Sequence, residues 1–240
     1  MSRDKIYDTD QQRADFSFDD RVVAVFPDMI QRSVPGYRAI IDHLPAIARH
    51  YVCADSHCYD LGCSLGASTL AIDAGIQADN CQIIAVDNSS SMIEQCQQLL
   101  NKAPTQHPIE LVCSDLQDVA IRNASLSVFN FTLQFIPIEQ RQTVIDAVYD
   151  GTVNGGALVL SEKICFPGSE QQSAMTDIHH TFKSINGYSD LEISQKRSAL
   201  ENVLLPETIE SHRQRLLQAG FRQVWVWFQC FNFCSILAVK

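Results

Sequence analysis

The chain has 240 residues, 46% of them hydrophobic, which is enough to bury the core of one large domain. Its 18 lysines and arginines stand against 28 aspartates and glutamates, for a formal charge of −10. That balance argues against a broad nucleic-acid surface, since phosphate binding draws on clustered cations.

The opening MSRDKIYDTDQQRADFSFDD is polar and acidic, with no signal-peptide h-region, and no apolar run approaches the roughly 20 residues of a membrane helix. A cytoplasmic protein with no membrane contact is expected. Residues 18–51 carry apolar positions at helical spacing, Val22, Val25, Phe26 and Met29, then Ile40, Ile41, Leu44 and Ile47. The break at VPGY (Val34 to Tyr37) predicts two helices.

From His57 onward strand and helix patterns alternate. CYDLGCS, ASTLAIDAG, CQIIAVDN and SSMIEQCQQLLNK read as strand, helix, strand, helix. IELVCSDL and LSVFNFTLQF are two more strands, PIEQRQTVIDAVYDGT a helix closing in the glycines of NGG, and GALVLSEKI a fifth strand. This order predicts a parallel sheet with helices on both faces.

Residues 165–206 are more polar and read as a helical insertion, SAMTDIHHTFKSIN followed by SDLEISQKRSALENV. TIESHRQRLLQAGF resumes an amphipathic helix, and VWVWFQCF and FCSILAVK pair as a closing hairpin. Trp225 and Trp227 alternate on that strand and are expected on one face, in packing or a subunit interface. Residues 1–240 are therefore read as a single domain.

The nine cysteines form no CxxC pair and are read as reduced, mostly buried hydrophobes. His179 and His180 are adjacent, and helix neighbours point about 100° apart, so a shared metal is not expected.

YDLGCSLG, residues 59–66, lies where the first strand meets its helix. Gly62 permits a tight turn and Gly66 a close helix–sheet approach, while Ser64 replaces the middle glycine of a dinucleotide loop. Asp87 ends the second strand, where a carboxylate can accept both ribose hydroxyls. Asp115 ends the third, where it can read an adenine edge, and Asn130 ends the fourth, facing a ligand's reactive end. Helix capping explains any one of these acids but not the set, which points to a nucleotide site. Glu162 and Lys163, just past the fifth strand, are as readily surface residues as site residues.

The D-x-G-x-S-x-G loop, the acid ending strand two and the closing hairpin resemble class I S-adenosylmethionine-dependent methyltransferases. The longer strings AVFPDMIQRSVPGY, YDLGCSLGASTL, FNFTLQF, GALVLSEK, NGYSDLEISQKR and WVWFQCFNF resemble the carboxy-S-adenosyl-L-methionine synthase family over nearly the whole chain. The first fifteen or so residues depart from that pattern and are expected to matter little.

The resemblance implies a Rossmann-like α/β fold with a mostly parallel seven-stranded sheet and one antiparallel strand. It implies a reaction between S-adenosyl-L-methionine and prephenate that yields carboxy-S-adenosyl-L-methionine, phenylpyruvate and water, without methyl transfer. It also implies a homodimer, no metal, and a product that feeds a partner enzyme carboxymethylating wobble uridine in tRNA.

Family ligand positions fall on Tyr37, Gly62, Cys63, Ser64, Asp87, Asn88, Asp115, Leu116, Asn130 and Arg197. Arg197 is assigned to a carboxylate, because a guanidinium fork pairs bidentately with that group. Tyr37 either hydrogen-bonds the same carboxylate or only covers the pocket. In SDLEISQKRSALENV, Lys196 is expected to be a solvated neighbour of Arg197. Arg32, His180 and Tyr188 are weaker candidates for prephenate contact. The alternative reading is an ordinary methyltransferase acting on a small molecule or on tRNA, in which a cation near a sulfonium has no use.

Overall fold

The computed structural model describes residues 3–8 and 18–240. Two helices come first, α1 (Asp20–Ser33) and α2 (Tyr37–Tyr51). Asp19 caps α1 by accepting from the backbone N–H of Arg21 and of Val22.

A seven-stranded sheet follows in the order β3-β2-β1-β4-β5-β7-β6. Its strands are β1 (His57–Leu61), β2 (Gln82–Asp87), β3 (Ile109–Cys113), β4 (Ala124–Asn130), β5 (Thr152–Lys163), β6 (Gln223–Cys230) and β7 (Phe233–Val239). The first five pair in parallel, and β7 runs antiparallel to both β5 and β6.

Because parallel strands need crossovers that cover both faces, the inner strands are apolar on both sides. Leu126, Val128, Ala157 and Val159 pack with Leu44 and Ala48 of α2 and with Ile72 of α3 (Ala67–Gly75). Phe129, Leu158 and Leu160 pack on the opposite face with Val144, Ile145 and Val148 of α5 (Ile138–Gly151) and with Leu216 of α8 (Ile209–Ala219). α4 (Ser90–Leu100) completes the β2–β3 crossover. Chain order reverses between β1 and β4, which opens a crevice at the carboxyl ends of the strands.

The insertion between β5 and α8 holds α6 (Ser169–Ile185) and α7 (Asp190–Leu200). α7 opens on a capping box. Ser189 Oγ accepts from Glu192 N–H at 3.3 Å, and the Glu192 carboxylate accepts from Ser189 N–H at 2.7 Å. Ser189→Ala removes one half of the box and is expected to lower unfolding free energy by about 1 kcal/mol, read as a shift in urea midpoint at constant slope.

Several sequence expectations are corrected. β5 starts at Thr152 rather than at the glycines, with a register shift against β4 between Ala124 and Leu126. The same strand runs through Glu162 and Lys163, so neither is a surface residue past its end, and Glu162 is buried. A bulge between Val226 and Phe228 breaks the alternation of β6. Trp225 therefore faces solvent, while Trp227 packs in the cluster of Val34, Tyr37 and Phe233.

The start of the chain is also more than a variable tail. Asp4 is buried, accepts a hydrogen bond from the Tyr188 hydroxyl and stands 3.6 Å from Lys196 Nζ. Residues 1–2 and 9–17 lie outside the described residues. Among the described residues, no helix is long and apolar enough to cross a membrane.

Candidate functional site

A cavity of about 460 Å³ opens over the crevice at the carboxyl ends of β1, β2 and β4. Its floor begins at the β1–α3 loop. Gly62 sits at φ +88°, and a Cβ there would collide with the Thr132 side chain, so only glycine fits. The Gly62 and Cys63 N–H groups both donate to Val86 O at 2.8 Å, which locks the loop to β2. Gly66, at φ +80°, lets α3 turn away beside Cys96. The Cys63 thiol is held above its ordinary pKa by its hydrogen bond with Cys96 and by burial, which leaves it a packing group rather than a nucleophile.

Asp87 organises the adjoining wall. One carboxylate oxygen accepts from Ser64 N–H and the other from Ser89 N–H, both at 2.9 Å. Burial raises its pKa against the pull of those two bonds. A carboxylate offers about four lone-pair sites, so two remain for hydroxyl donors on a ligand. Beside it Asn88 Nδ2 donates to Asp115 Oδ1 at 2.9 Å, bracing the ends of β2 and β3 together. Ser89 Oγ donates to Phe18 O at 2.7 Å, and the Phe18 ring meets that of Phe135 edge-on at 5.4 Å. An apolar lip thus closes over the acidic end.

At β4, Asn130 Nδ2 donates to Ser68 Oγ at 3.1 Å, while its buried Oδ1 has no partner. A buried acceptor left unpaired costs free energy, so a ligand donor at this point is favoured. Tyr37, the first residue of α2, turns its ring toward Phe131 at 6.3 Å. Burial, then the Asp60 charge, raises its phenol pKa, keeping it a neutral donor. Tyr37, Gly62, Cys63, Ser64, Asp87, Asn88, Asp115, Leu116 and Asn130 all line this one cavity.

Arg197 does not line it. The side chain is exposed on α7, although its charge acts on Lys163, Lys183 and His180. Lys196 reverses the expectation of a solvated neighbour. It is buried, lines the cavity and donates to Ser33 Oγ at 2.9 Å. Arg32 and Tyr188 lie behind it. The Arg32 guanidinium sits 3.8 Å over the Tyr188 ring and donates to Asn186 O at 2.7 Å and to Asp28 Oδ2 at 3.0 Å. His180 is half-buried outside the lining.

Sequence reasoning missed several wall residues. His179 is buried, shares a hydrogen bond of 2.8 Å with Ser33 O, and is kept neutral by burial and by Lys183, with its pKa lowered to about 3. Lys183 also faces the cavity, as does Lys163, which the sequence left open between surface and site. Gln134 and Phe135 complete the wall on a short 3₁₀ turn. The fully buried Arg141 pins that turn, donating to Ile136 O at 2.8 Å and to Gln134 O at 3.0 Å. Glu162 holds the same turn from the other side, accepting from Leu133 and Gln134 N–H at 2.9 and 3.0 Å. Among the described residues, no group of three or more His, Cys, Asp or Glu is placed to hold a metal ion.

Residues 59–156 match the family described as "Methyltransferase domain". Human N-acetylserotonin methyltransferase, solved in complex with SAM, superposes with a TM-score of 0.61 at 14% identity, over 92% of this chain and 55% of that one. A cyclopropane synthase of Mycobacterium tuberculosis superposes with a TM-score of 0.58 at 14% identity, over 79% of this chain and 62% of that one. At such identity the likeness speaks for the fold alone.

Two curated relatives are far more similar. The carboxy-S-adenosyl-L-methionine synthase of Trichlorobacter lovleyi is 59% identical over 94% of this chain and 93% of its own length. That of Citrifermentans bemidjiense is 58% identical over 96% and 95%. With more than half of the residues identical over nearly the full length of both proteins, the chain belongs to the carboxy-S-adenosyl-L-methionine synthase family.

Proposed function

We propose that the protein converts S-adenosylmethionine and prephenate to carboxy-S-adenosylmethionine, phenylpyruvate and water. One observation carries the reading beyond the relatives' names. A single cavity holds acidic groups for a nucleoside at one end and a cationic wall at the other. Asp87 would take the ribose hydroxyls, Asp115 and the Leu116 N–H the adenine edge, and the free Asn130 Oδ1 the amino-acid end. Gly62, Cys63 and Ser64 form the backbone floor beneath.

The sulfonium of the bound substrate acidifies its methyl protons, and prephenate supplies the carboxyl group as its ring aromatises. The chain's own tasks are to orient the pair, exclude water and hold the carboxylates. Phe18 and Phe135 close the acidic end against water. Tyr37 donates its phenol proton to a carboxylate and stays protonated. Arg197, exposed on α7 next to the lining residue Lys196, supplies a guanidinium to the transferred carboxyl group.

The cytoplasm, a homodimer, and supply of the product to a tRNA carboxymethyltransferase are parts of the same proposal. The net charge of −10 supports a role without direct tRNA docking.

Incubating the purified protein with S-adenosylmethionine and prephenate and weighing the products by mass spectrometry tests this reading. The mass of S-adenosylmethionine plus one carboxyl group is expected. S-adenosylhomocysteine alone would favour a methyltransferase instead. Arg197→Leu is expected to leave the thermal transition unchanged, because the side chain is exposed, and to cut carboxylated product at least tenfold. Parent-level product from that variant removes Arg197 from the site.

A further inference from the structure

We propose that Lys163 and Lys183 form a second anion subsite that holds the dicarboxylate co-substrate, separate from the subsite for S-adenosylmethionine. The assignment rests on the reading above.

Lys163 ends β5 and Lys183 projects from α6, and both line the same cavity. Neither ammonium makes a hydrogen bond or ion pair among the described residues. The nearby carboxylates are turned elsewhere. Glu162 alternates to the opposite side of β5, where it accepts two backbone N–H groups, and burial pushes its pKa up to about 8. Asp4 is engaged with Tyr188 and Lys196.

A protein with a net charge of −10 thus places two uncompensated lysines on one wall of a half-closed cavity. Cations collected and left unpaired in a desolvated space are destabilising until an anion arrives. Burial, then Lys196, Lys163 and Arg197, lower the pKa of Lys183 to about 7. Lys163 is lowered as well, by burial and by Arg197.

Position separates this wall from the nucleoside end. β2 and β5 are three strands apart, and at roughly 4.8 Å per strand the backbone of Lys163 lies about 14 Å from that of Asp87, with Asn130 on β4 between them. A ligand spanning from the ribose acids to Asn130 puts its reactive end facing the lysines. The anion they hold is then the second substrate. Two separated ammonium groups suit the two carboxylates of a dianion better than a single monoanion.

The test uses the full chain and the variants Lys163→Met, Lys183→Met and Lys183→Arg. S-adenosylhomocysteine affinity is measured by calorimetry, and prephenate is then titrated into the loaded, unreactive complex. Each methionine variant is expected to bind S-adenosylhomocysteine within about twofold of the parent, to bind prephenate at least tenfold more weakly, and to show the same rise in KM. The Lys183→Arg variant is expected to recover most of the loss.

Parent-like prephenate binding in both methionine variants overturns the assignment while leaving the proposed reaction intact. Loss of S-adenosylhomocysteine affinity with the thermal transition preserved also overturns it, placing the lysines at the amino-acid carboxylate of S-adenosylmethionine. A parent that neither binds nor converts prephenate sinks the proposed reaction, and the lysine subsite with it.

Discussion

Asp87→Ala is expected to lose S-adenosylmethionine binding by about 10²–10⁴-fold, the result of removing two charge-assisted hydrogen bonds of about 1.5–3 kcal/mol each. The carboxylate does two jobs. It presents its remaining lone pairs to the ribose hydroxyls, and it fixes the loop by accepting from Ser64 and Ser89 N–H. Alanine removes the ligand contact and leaves both N–H groups without their acceptor. Asparagine is expected to fall only slightly less, because its single oxygen satisfies one N–H while its NH₂ group faces the other. Calorimetric titration with S-adenosylhomocysteine measures the effect, and a thermal melt separates lost binding from lost folding. An alanine variant with affinity within tenfold of the parent would exclude Asp87 as the ribose acceptor.

The acidic end of the site was legible in the sequence because its signals are local. A polar residue closing an apolar strand and glycines at a strand–helix turn need only a few neighbouring residues to be read, and parallel-sheet topology then brings the strand ends together. The cationic end was not legible in the same way. Lys163 and Lys183 meet only when an insertion folds back over the sheet, and no local pattern around either one announces the other.

Adjacent Lys196 and Arg197 show where local reading failed and what would have repaired it. Helix neighbours diverge by about 100°, so the two need not share a face. Lys196 follows Ile193 by three and precedes Leu200 by four, on the face that the structure buries against the cavity. Arg197 shares the exposed face of Ser194 and Glu201. Period-two counting along β5 likewise places Glu162 with Leu158 and Leu160, inside the fold. The bulge in β6 and the burial of Asp4 leave no such trace. One depends on cross-strand register, and the other on a contact with Lys196, near the far end of the chain.

Asp60 carries a large expected dependence on pH. Its carboxyl is fully buried in β1, with Oδ2 accepting from Thr69 Oγ1 at 2.6 Å and Oδ1 without a partner. Burial pushes its pKa up to about 7, opposed by the Thr69 bond and assisted by the Asp87 charge. In the unfolded chain an aspartate titrates at about 3.9. Between those values the folded state holds a proton that the unfolded state has released, so stability falls as pH rises. The stabilising contribution is complete below about pH 4 and is lost as pH passes through about 7. The amide of an Asp60→Asn variant has nearly the same shape as the carboxyl and does not titrate. The variant is therefore expected to gain on the parent by about 3 kcal/mol between about pH 5 and pH 8, measured by urea unfolding at each pH. Glu162, raised to about 8, and the buried neutral His179 and His212, lowered to about 3 and about 4, bend both curves alike and cancel in the difference. A difference that stays flat across that range would mean Asp60 is ionised in the folded protein, placing a second negative charge beside Asp87 under the nucleoside.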